Sequence, residues 1–367
     1  MIPFNDLKPL ERELRRDLES AALRVLRSGW YILGPELEAF EQSFAAYHGV
    51  PHAVGVANGT DAIELALRAL GIGPGDEVVT VAHTAVATVC AIERAGAVPV
   101  LVDVDGATYT MDPAAAEAAI TSRTRALLPV HLYGHPADLE ALSRVAERHG
   151  LALVEDCAQS HGARLGGRLT GTVGHLGAFS FYPTKNLGAY GDGGAVITGD
   201  AALADRLRRL RNYGQVDRYH HAERGQNSRL DELQAALLRV KLAHLDGHNE
   251  IRRGLAARYS SRLAGVVIPA CGPGAEPVYH LYVVRHGERD RLMDELKTRG
   301  IGTLIHYPIP VHLQPGYRDL GPASGALPVT ERLAGEILSL PLYVGLGAEA
   351  LDEVAEAVRE CLQLLPA

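Results

Sequence analysis

The stretch EVVTVAHTAVATVCAIERAGAVPVLVDVD, residues 77–105, decides the fold class. The valine-rich apolar runs at its two ends are typical of buried strands. Between them, residues 84–96 repeat apolar side chains at helical spacing. A strand, a helix and a second strand in this order predict two parallel strands joined by a crossover helix.

The same alternation continues on both sides of this unit. Further short apolar runs lie at residues 52–58, 125–134 and 151–157. Helical patterns accompany them at residues 59–72, 113–120 and 138–150. The sequence therefore predicts an α/β protein with a mostly parallel sheet that is covered by helices on both faces.

The pattern changes from about residue 230. A long helical stretch, residues 230–265, is followed by a strand pattern at residues 277–285 and a helical pattern at residues 290–300, with a closing helix near residues 349–363. We place a domain boundary within the long helix. This predicts a large domain over residues 1–245 and a small α+β domain over residues 246–367.

The composition excludes several classes of partner. The 367 residues are 47% hydrophobic and 22% charged, with a formal net charge of −8, so we expect neither nucleic acid nor an anionic membrane as the main partner. The N-terminus lacks a signal-peptide pattern, and no run of about eighteen apolar residues occurs, which predicts a cytoplasmic protein. The four cysteines lack metal-ligand spacing, so we expect free buried thiols and no metal.

Lysine is rare in this chain, which has 36 basic residues but only four lysines: Lys8, Lys185, Lys241 and Lys297. Lys241 and Lys297 belong to charged helical patterns, where we expect solvated side chains. Lys185 instead lies in FSFYPTKNLGAYGDGG, residues 179–194, between a strand end and a run of glycines. A lysine amine, unlike arginine, can lose its proton and attack a carbonyl. The alternative for Lys185 is a loop lysine that neutralises Asp192.

Polar residues follow two of the apolar runs, at the edge where an open parallel sheet binds its ligands. Thr60 opens the helix after HAVGVAN, where free N–H groups suit a phosphate; helix capping by Thr60 or Asp61 is the alternative. Asp156 ends the run LALVE, and a buried carboxylate needs a cation. A structural arginine, a helix N-terminus or a protonated pyridine nitrogen would each satisfy it.

An anion site, a strand-end aspartate and a lone lysine match the phosphate, ring nitrogen and aldehyde of pyridoxal 5'-phosphate. Six segments carry a wider similarity: SGWYILGPELEAFE, ANGTDA, LVEDCAQSHGA, FSFYPTKNLGAYGDGGAV, QNSRLDELQAA and HYPIPVHLQP. Over nearly the whole chain, the sequence resembles the DegT/DnrJ/EryC1/StrS family of sugar aminotransferases. The resemblance implies a fold type I enzyme with a mixed, mainly parallel sheet, a small C-terminal domain, and a homodimer with active sites at the subunit interface.

The resemblance also implies roles for individual residues. Lys185 matches the lysine that binds the cofactor aldehyde, and Asp156 matches the partner of the pyridine nitrogen. The other matched cofactor positions are Gly59, Thr60 and Ser180 at the phosphate, Gln159 at the ring, and Asn227, which reaches the phosphate from the other subunit. Ala85 stands where the family commonly has an aromatic residue over the ring, so His83 or a small apolar side chain must cover it.

The implied reaction transfers an amino group from L-glutamate to a nucleotide-linked keto sugar. The Lys185 segment is more similar to members that act at sugar carbon 3, and a dTDP-linked substrate is expected. Candidate substrate contacts are Arg218, His220, His221, Arg229, His306, Tyr307 and His312. A solvated loop, a buttress for the interface helix and a structural proline turn are the alternatives for these residues.

Rival functions use parts of the same pattern. Amination of a carbon 4 keto sugar, or of a keto-cyclitol such as scyllo-inosose, needs the same core residues, so only turnover separates them. The dehydratase branch of the family has histidine in place of the lysine, and Lys185 argues against it. A cofactor-binding regulator without turnover would not need Lys185, Asp156 and Gln159 together.

Overall fold

The computed structural model describes residues 1–364. Twelve α-helices lie in this range: α1 (Lys8–Ser28), α2 (Pro35–His48), α3 (Gly59–Ala69), α4 (Val86–Arg94), α5 (Pro113–Ala118), α6 (Leu139–His149), α7 (Ala201–Leu210), α8 (Glu232–Leu242), α9 (Leu245–Arg262), α10 (Arg289–Thr298), α11 (Pro328–Glu336) and α12 (Ala348–Leu364). The same range contains fourteen strands: β1 (His52–Val56), β2 (Glu77–Val81), β3 (Val98–Val102), β4 (Thr124–Leu127), β5 (Ala152–Asp156), β6 (Arg164–Leu165), β7 (Arg168–Leu169), β8 (Leu176–Ser180), β9 (Gly194–Thr198), β10 (Gln215–Asp217), β11 (His220–His221), β12 (Ala275–Glu276), β13 (Tyr282–Arg285) and β14 (Ile337–Leu340).

A seven-stranded sheet, in the order β1-β9-β8-β5-β4-β2-β3, is the largest sheet of the described chain. Strand β9 runs antiparallel to both of its neighbours, and the other six strands are parallel to one another. Strands β2 and β9 are buried along their whole length, as expected of a sheet with helices on both faces. The predicted mixed, mainly parallel sheet is confirmed, and the carboxyl ends of its parallel strands share one edge.

Aromatic packing on one face of the sheet holds the end of β8. Phe40 and Phe44 of α2 are fully buried. The ring of Phe44 lies 5.1 Å from that of Phe179 and 5.5 Å from that of Phe181, edge to face in both pairs. Such pairs favour one relative orientation of the rings. They fix the backbone that leads into residues 181–193, the loop between β8 and β9 that we call the Lys185 loop.

A second hydrophobic core lies in the C-terminal part of the chain. Its largest buried side chains are Tyr259 of α9 and Tyr282 of β13, with ring centroids 4.9 Å apart. The predicted single helix over residues 230–265 is wrong, because α8 ends at Leu242 and α9 begins at Leu245. His244, with φ −109° and ψ −2°, interrupts the helical backbone. The domain boundary near residue 245 stays a prediction.

Several expectations about single residues and segments have outcomes in the structure. The four cysteines, all within the described range, are free thiols, as predicted, and Cys157 and Cys361 are buried. The prediction of buried thiols is wrong for Cys271, which is exposed, and for Cys90, which is only partly buried. No helix of residues 1–364 has the length and apolar character needed to cross a membrane. Lys297 is exposed on α10, but Lys241 is only 7% exposed on α8. The prediction of a solvated Lys241 is wrong because α8 packs between α1 and α2, which leaves few positions for solvent.

Candidate active site

The shared carboxyl edge of the sheet gathers the predicted cofactor residues. Asp156, the last residue of β5, is opposite Ala178 of β8, and Ser180 ends β8 two residues later. Strand β9 follows β8 in the sheet and β1 follows β9, and the turn after β1 leads directly to Gly59 at the start of α3. Gly59 therefore lies directly beside Ser180, and Asp156 lies on the neighbouring strand, about 4.8 Å from β8.

The start of α3 has the properties of a phosphate site. A Cβ on Gly59 would lie 2.5 Å from the Cβ of Ser180, so this close approach requires glycine. Asn58 caps the helix, because its Oδ1 accepts the N–H of Asp61 at 2.8 Å. The alternative of capping by Thr60 or Asp61 is therefore wrong. Within residues 1–364 no hydrogen bond uses the Thr60 hydroxyl, and the first N–H groups of α3 point out of the helix, as an anion site requires.

Asp156 is a buried carboxylate that lacks a cationic partner in ion-pair contact anywhere in residues 1–364. Its Oδ1 accepts the N–H of Ala158 at 3.1 Å, and its Oδ2 accepts the hydroxyl of Thr88 at 2.9 Å. Burial raises the pKa of Asp156, although these two hydrogen bonds and the charge of Lys185 act in the opposite direction. The alternative of a structural arginine is not realised. A protonated pyridine nitrogen would supply the missing charge.

The neighbouring carboxylate, Glu155, accepts more hydrogen bonds than Asp156. Alternate residues of a strand face opposite sides of the sheet, and Glu155 accepts three backbone N–H groups from residues 171–174, at 2.6 to 2.8 Å. His131 and Cys157 place ligand atoms within 4.8 Å of this carboxylate and of each other. However, Nδ1 of His131 accepts the N–H of Ala137 at 3.0 Å, so Nε2 carries the proton and donates to Glu155 at 3.0 Å. The His131 ring has no free lone pair for a metal.

Lys185 lies in a site whose histidines are neutral. Burial lowers its pKa to about 8, against the opposing effect of Asp156. Burial and the charge of Lys185 also lower the pKa values of His161 to about 3 and of His306 to about 4, and lower that of His280 as well. Within residues 1–364 no ion pair joins Lys185 to Asp192, so the alternative of a neutralising loop lysine has no support.

Gln159, in the turn after β5, is hydrogen-bonded to two tyrosines of other segments. Its Oε1 accepts the N–H of Tyr133 at 2.6 Å, and its Nε2 donates to the hydroxyl of Tyr307 at 3.4 Å. The Tyr133 hydroxyl donates to the carbonyl of His306. It therefore accepts from Nε2 of His83, at 2.9 Å. Burial lowers the pKa of His83 to about 4, so its ring is neutral and suited to lie against a cationic pyridine ring.

The predicted substrate residues of the segment 306–312 separate in the structure. His306 and Tyr307 lie at the site. Burial lowers the pKa of His306, and the charge of Lys185 adds to this effect. Burial raises the pKa of Tyr307, and the charge of Asp156 adds to that effect. His312 is elsewhere: its side chain is buried, and its Nε2 lies 3.2 Å from Oε1 of Glu331. The structural alternative therefore describes His312. For His306, whose Nδ1 lies 2.9 Å from Oγ of Ser339, and for Tyr307, substrate contact stays a prediction.

The other predicted contacts belong to the segment 212–229. They are Arg218, His220, His221, Asn227 and Arg229. The first four are exposed, and Arg229 donates to Oδ1 of Asn212 at 3.3 Å. Within residues 1–364 no hydrogen bond or ion pair connects these five to Lys185 or Asp156. Ser228, between Asn227 and Arg229, accepts the N–H of Ala57 at 3.1 Å, two residues before Gly59, so this end of the segment lies near the start of α3.

Three contributors to the site did not emerge from the sequence. Thr88, which bonds Asp156, is four residues after Thr84 at the start of α4, and their hydroxyls are 2.9 Å apart. This helical spacing, directly after the apolar run 77–81, was an available signal. Tyr133 has a left-handed backbone, with φ 60°, which a sequence does not reveal. His280 follows from no local pattern.

The whole chain has close counterparts among known proteins. The model of the DegT/DnrJ/EryC1/StrS aminotransferase family matches residues 12–359. The chain belongs to this family. It is 55% identical to the erythromycin biosynthesis sensory transduction protein EryC1 of Saccharopolyspora erythraea over 98% of this chain and 99% of that protein. It is equally 55% identical to the dTDP-3-amino-3,4,6-trideoxy-alpha-D-glucose transaminase of Streptomyces venezuelae, over 98% of this chain and 96% of that protein.

A solved structure agrees with these relatives. The X-ray structure of S. venezuelae DesV matches with a TM-score of 0.97 and 54% identity, covering 100% of this chain and 99% of that one. The family resemblance, the fold type I architecture and the use of pyridoxal 5'-phosphate are thereby confirmed, and this family member is an aminotransferase. The residues present fit the cofactor: the Gly59 turn would hold its phosphate, Asp156 its ring nitrogen and Lys185 its aldehyde.

Proposed function

We propose that this aminotransferase transfers an amino group from L-glutamate to carbon 3 of a dTDP-linked 3-keto deoxysugar. The observation that carries the proposal is 55% identity, over 98% of the chain, to the S. venezuelae transaminase whose name states a dTDP-3-amino sugar. Lys185 and Asp156 supply the groups that the reaction needs. The same residues would serve a carbon 4 keto sugar or a keto-cyclitol, and the sequence similarity favours carbon 3.

The chemistry assigns distinct roles to the two central side chains. Pyridoxal phosphate, when bound, supplies an electrophilic aldehyde and a ring that withdraws electrons from the reacting carbon. With a pKa of about 8, roughly a tenth of the Lys185 amines are neutral at pH 7 and able to attack. Once released by the amino donor, Lys185 would move a proton from the donor carbon to the former aldehyde carbon of the cofactor, and in the second half-reaction it would move a proton from that carbon to carbon 3 of the sugar. Asp156 holds the ring nitrogen protonated.

We further propose a cytoplasmic homodimer in which the segment 212–229 completes the partner's site. Asn227 is exposed in this chain, yet the family pattern gives it a phosphate contact. Arg218, His220 and His221 stand in the exposed β10–β11 segment, where cations suit the diphosphate of a nucleotide sugar. Arg229 is the candidate partner for the carboxylate of the donor. Residues 1–245 would then form the cofactor domain and residues 246–367 the small domain.

The test is turnover by purified enzyme of a matched panel: a dTDP-linked 3-keto deoxysugar, its 4-keto isomer and scyllo-inosose, each with L-glutamate. We expect the 3-keto sugar to give the highest kcat/KM, by at least about a hundredfold, because the site must hydrogen-bond the correct hydroxyl groups. Highest turnover of the 4-keto isomer or of the cyclitol would overturn the choice of substrate but not the reaction.

A regulatory role has one specific observation in its favour. The S. erythraea relative is named a sensory transduction protein. A binding protein without turnover would hold the cofactor but not exchange its amino group. Addition of L-glutamate to the yellow enzyme should shift the absorbance of the bound cofactor within seconds to minutes. An unchanged spectrum with every amino donor would favour the regulator.

A further inference from the structure

Two side chains of α8 contact the segment just after Lys185. Gln234 accepts the N–H of Tyr190 on its Oε1 at 2.8 Å. The Nζ of Lys241 donates to the carbonyl of Gly188 at 2.8 Å and lies 4.1 Å from the centroid of the Tyr190 ring. Positions 234 and 241 are seven residues apart, or two helical turns, so the two side chains share one face of α8.

The contacted segment cannot move independently of Lys185. The N–H of Ala189 donates to the carbonyl of Phe181 at 2.7 Å, which closes a short loop around Lys185. Gly188 turns back so tightly that a Cβ at this position would collide with the carbonyl oxygen of Pro183. A displacement of the Gly188 carbonyl therefore moves the backbone that carries Lys185.

Lys241 is a costly choice for a residue that only fills space. It is 7% exposed, and within residues 1–364 no carboxylate is in ion-pair contact with it. Burial lowers its pKa to about 8, with Glu11 acting in the opposite direction. An apolar side chain would avoid the cost of burying a charge. The ammonium group instead contacts a carbonyl and an aromatic face, and both belong to the Lys185 loop.

We propose that Lys241 and Gln234 are positioning residues that hold the Lys185 loop in the geometry from which the Lys185 amine reaches the cofactor. They act through Gly188 and Tyr190 and not through contact with the reacting atoms. The inference rests on the proposed role of Lys185 as the lysine that binds the cofactor.

The first test is hydrogen exchange of the holoenzyme, followed by mass spectrometry of peptides that cover residues 182–192. Lys241→Met and Gln234→Leu should speed exchange in this loop about ten- to hundredfold, because each removes a polar anchor. Strand β9 should keep its protection. Lys241→Arg should stay near the wild type, because a guanidinium also donates and binds aromatic faces. Lys297→Met, an exposed lysine of α10, is the matched control.

The second test separates positioning from plain stability. In Lys241→Met, kcat should fall about tenfold while KM for glutamate changes less than about twofold, and Lys241→Arg should restore kcat. The inference would be overturned if the hydrogen-exchange rate of the loop stayed within about twofold of the wild type in both Lys241→Met and Gln234→Leu. It would also be overturned if the exchange rate of β9 increased as much as that of the loop. If borohydride fixes the cofactor on another lysine, the role of Lys185 fails instead, whatever the loop does.

Discussion

Replacement of Thr88 by valine should reveal how the site controls Asp156. The Asp156 carboxylate is buried and accepts only two hydrogen bonds in the described chain, from the Thr88 hydroxyl at 2.9 Å and from the Ala158 N–H at 3.1 Å. Valine has nearly the shape of threonine but no donor. A hydrogen bond to a charged group contributes about 1.5–3 kcal/mol, so kcat should fall by about ten- to hundredfold.

The pH profile gives the direction of this effect. A hydrogen bond to the carboxylate stabilises its charged form and lowers its pKa, against the raising effect of burial. Loss of that bond raises the pKa further, because the charged form loses a hydrogen-bond donor. Because the reaction needs the charged carboxylate beside the ring nitrogen, the acidic limb of the kcat profile should move toward neutral pH.

The assay is steady-state turnover from pH 5 to pH 9 for three variants. Thr88→Ser keeps the hydroxyl and should retain kcat within about threefold and the acidic limb of the wild type. Thr84→Val keeps the hydrogen bond from Thr88 to Asp156, so its kcat and its acidic limb should be close to those of the wild type. A Thr88→Val enzyme with wild-type kcat and an unmoved acidic limb would refute the assignment of Asp156 as the partner of the ring nitrogen.

Three other predictions follow from the same geometry. The first concerns the rate at which cofactor-free enzyme captures added pyridoxal phosphate, measured by stopped-flow absorbance. This rate should rise about tenfold per pH unit and level off above pH 8, because only neutral Lys185 attacks and its pKa is about 8. A midpoint near pH 10 would contradict this. Gly59→Ala should weaken cofactor binding at least about tenfold in equilibrium dialysis, since its Cβ would lie 2.5 Å from the Ser180 Cβ. Gly254→Ala, at an exposed position of α9 with open space around it, should bind normally, and equal affinities for both variants would argue against the phosphate site. Lys185→Ala and Asn227→Ala subunits, reassembled in equal amounts, should regain about a quarter of wild-type activity, because half the dimers are mixed and each of these has one complete site; no regain would contradict a shared site.

The alternation of strands and helices was predictable, as were the strand-end positions of Asp156 and Ser180, because both follow from local patterns. Apolar runs separated by helices place Asp156 and Ser180 at strand ends, and parallel strands bring such ends to one edge. The register of β5 and β8 confirms this for Asp156 and Ala178. The start of α3 at Gly59 was equally readable from the turn after β1.

What the sequence did not reveal depends on contacts between distant segments. The charged pattern around Lys241 predicted a solvated side chain, but α1 and the Lys185 loop cover that face of α8. Likewise, Glu155 and Asp156 are adjacent acidic residues, and only the turn at residues 171–174 decides which is structural. His312 and Tyr307 share one motif, yet only Tyr307 points to the site.

Borohydride reduction of the holoenzyme, followed by peptide mass spectrometry, tests the central claim most directly. The reagent makes the bond between a lysine and the cofactor permanent. Of the four lysines in the chain, only Lys185 should carry the added mass, and prior treatment with L-glutamate should abolish the label because the donor displaces the lysine. The label on Lys241 or any other lysine, or its complete absence from yellow enzyme, would contradict the account.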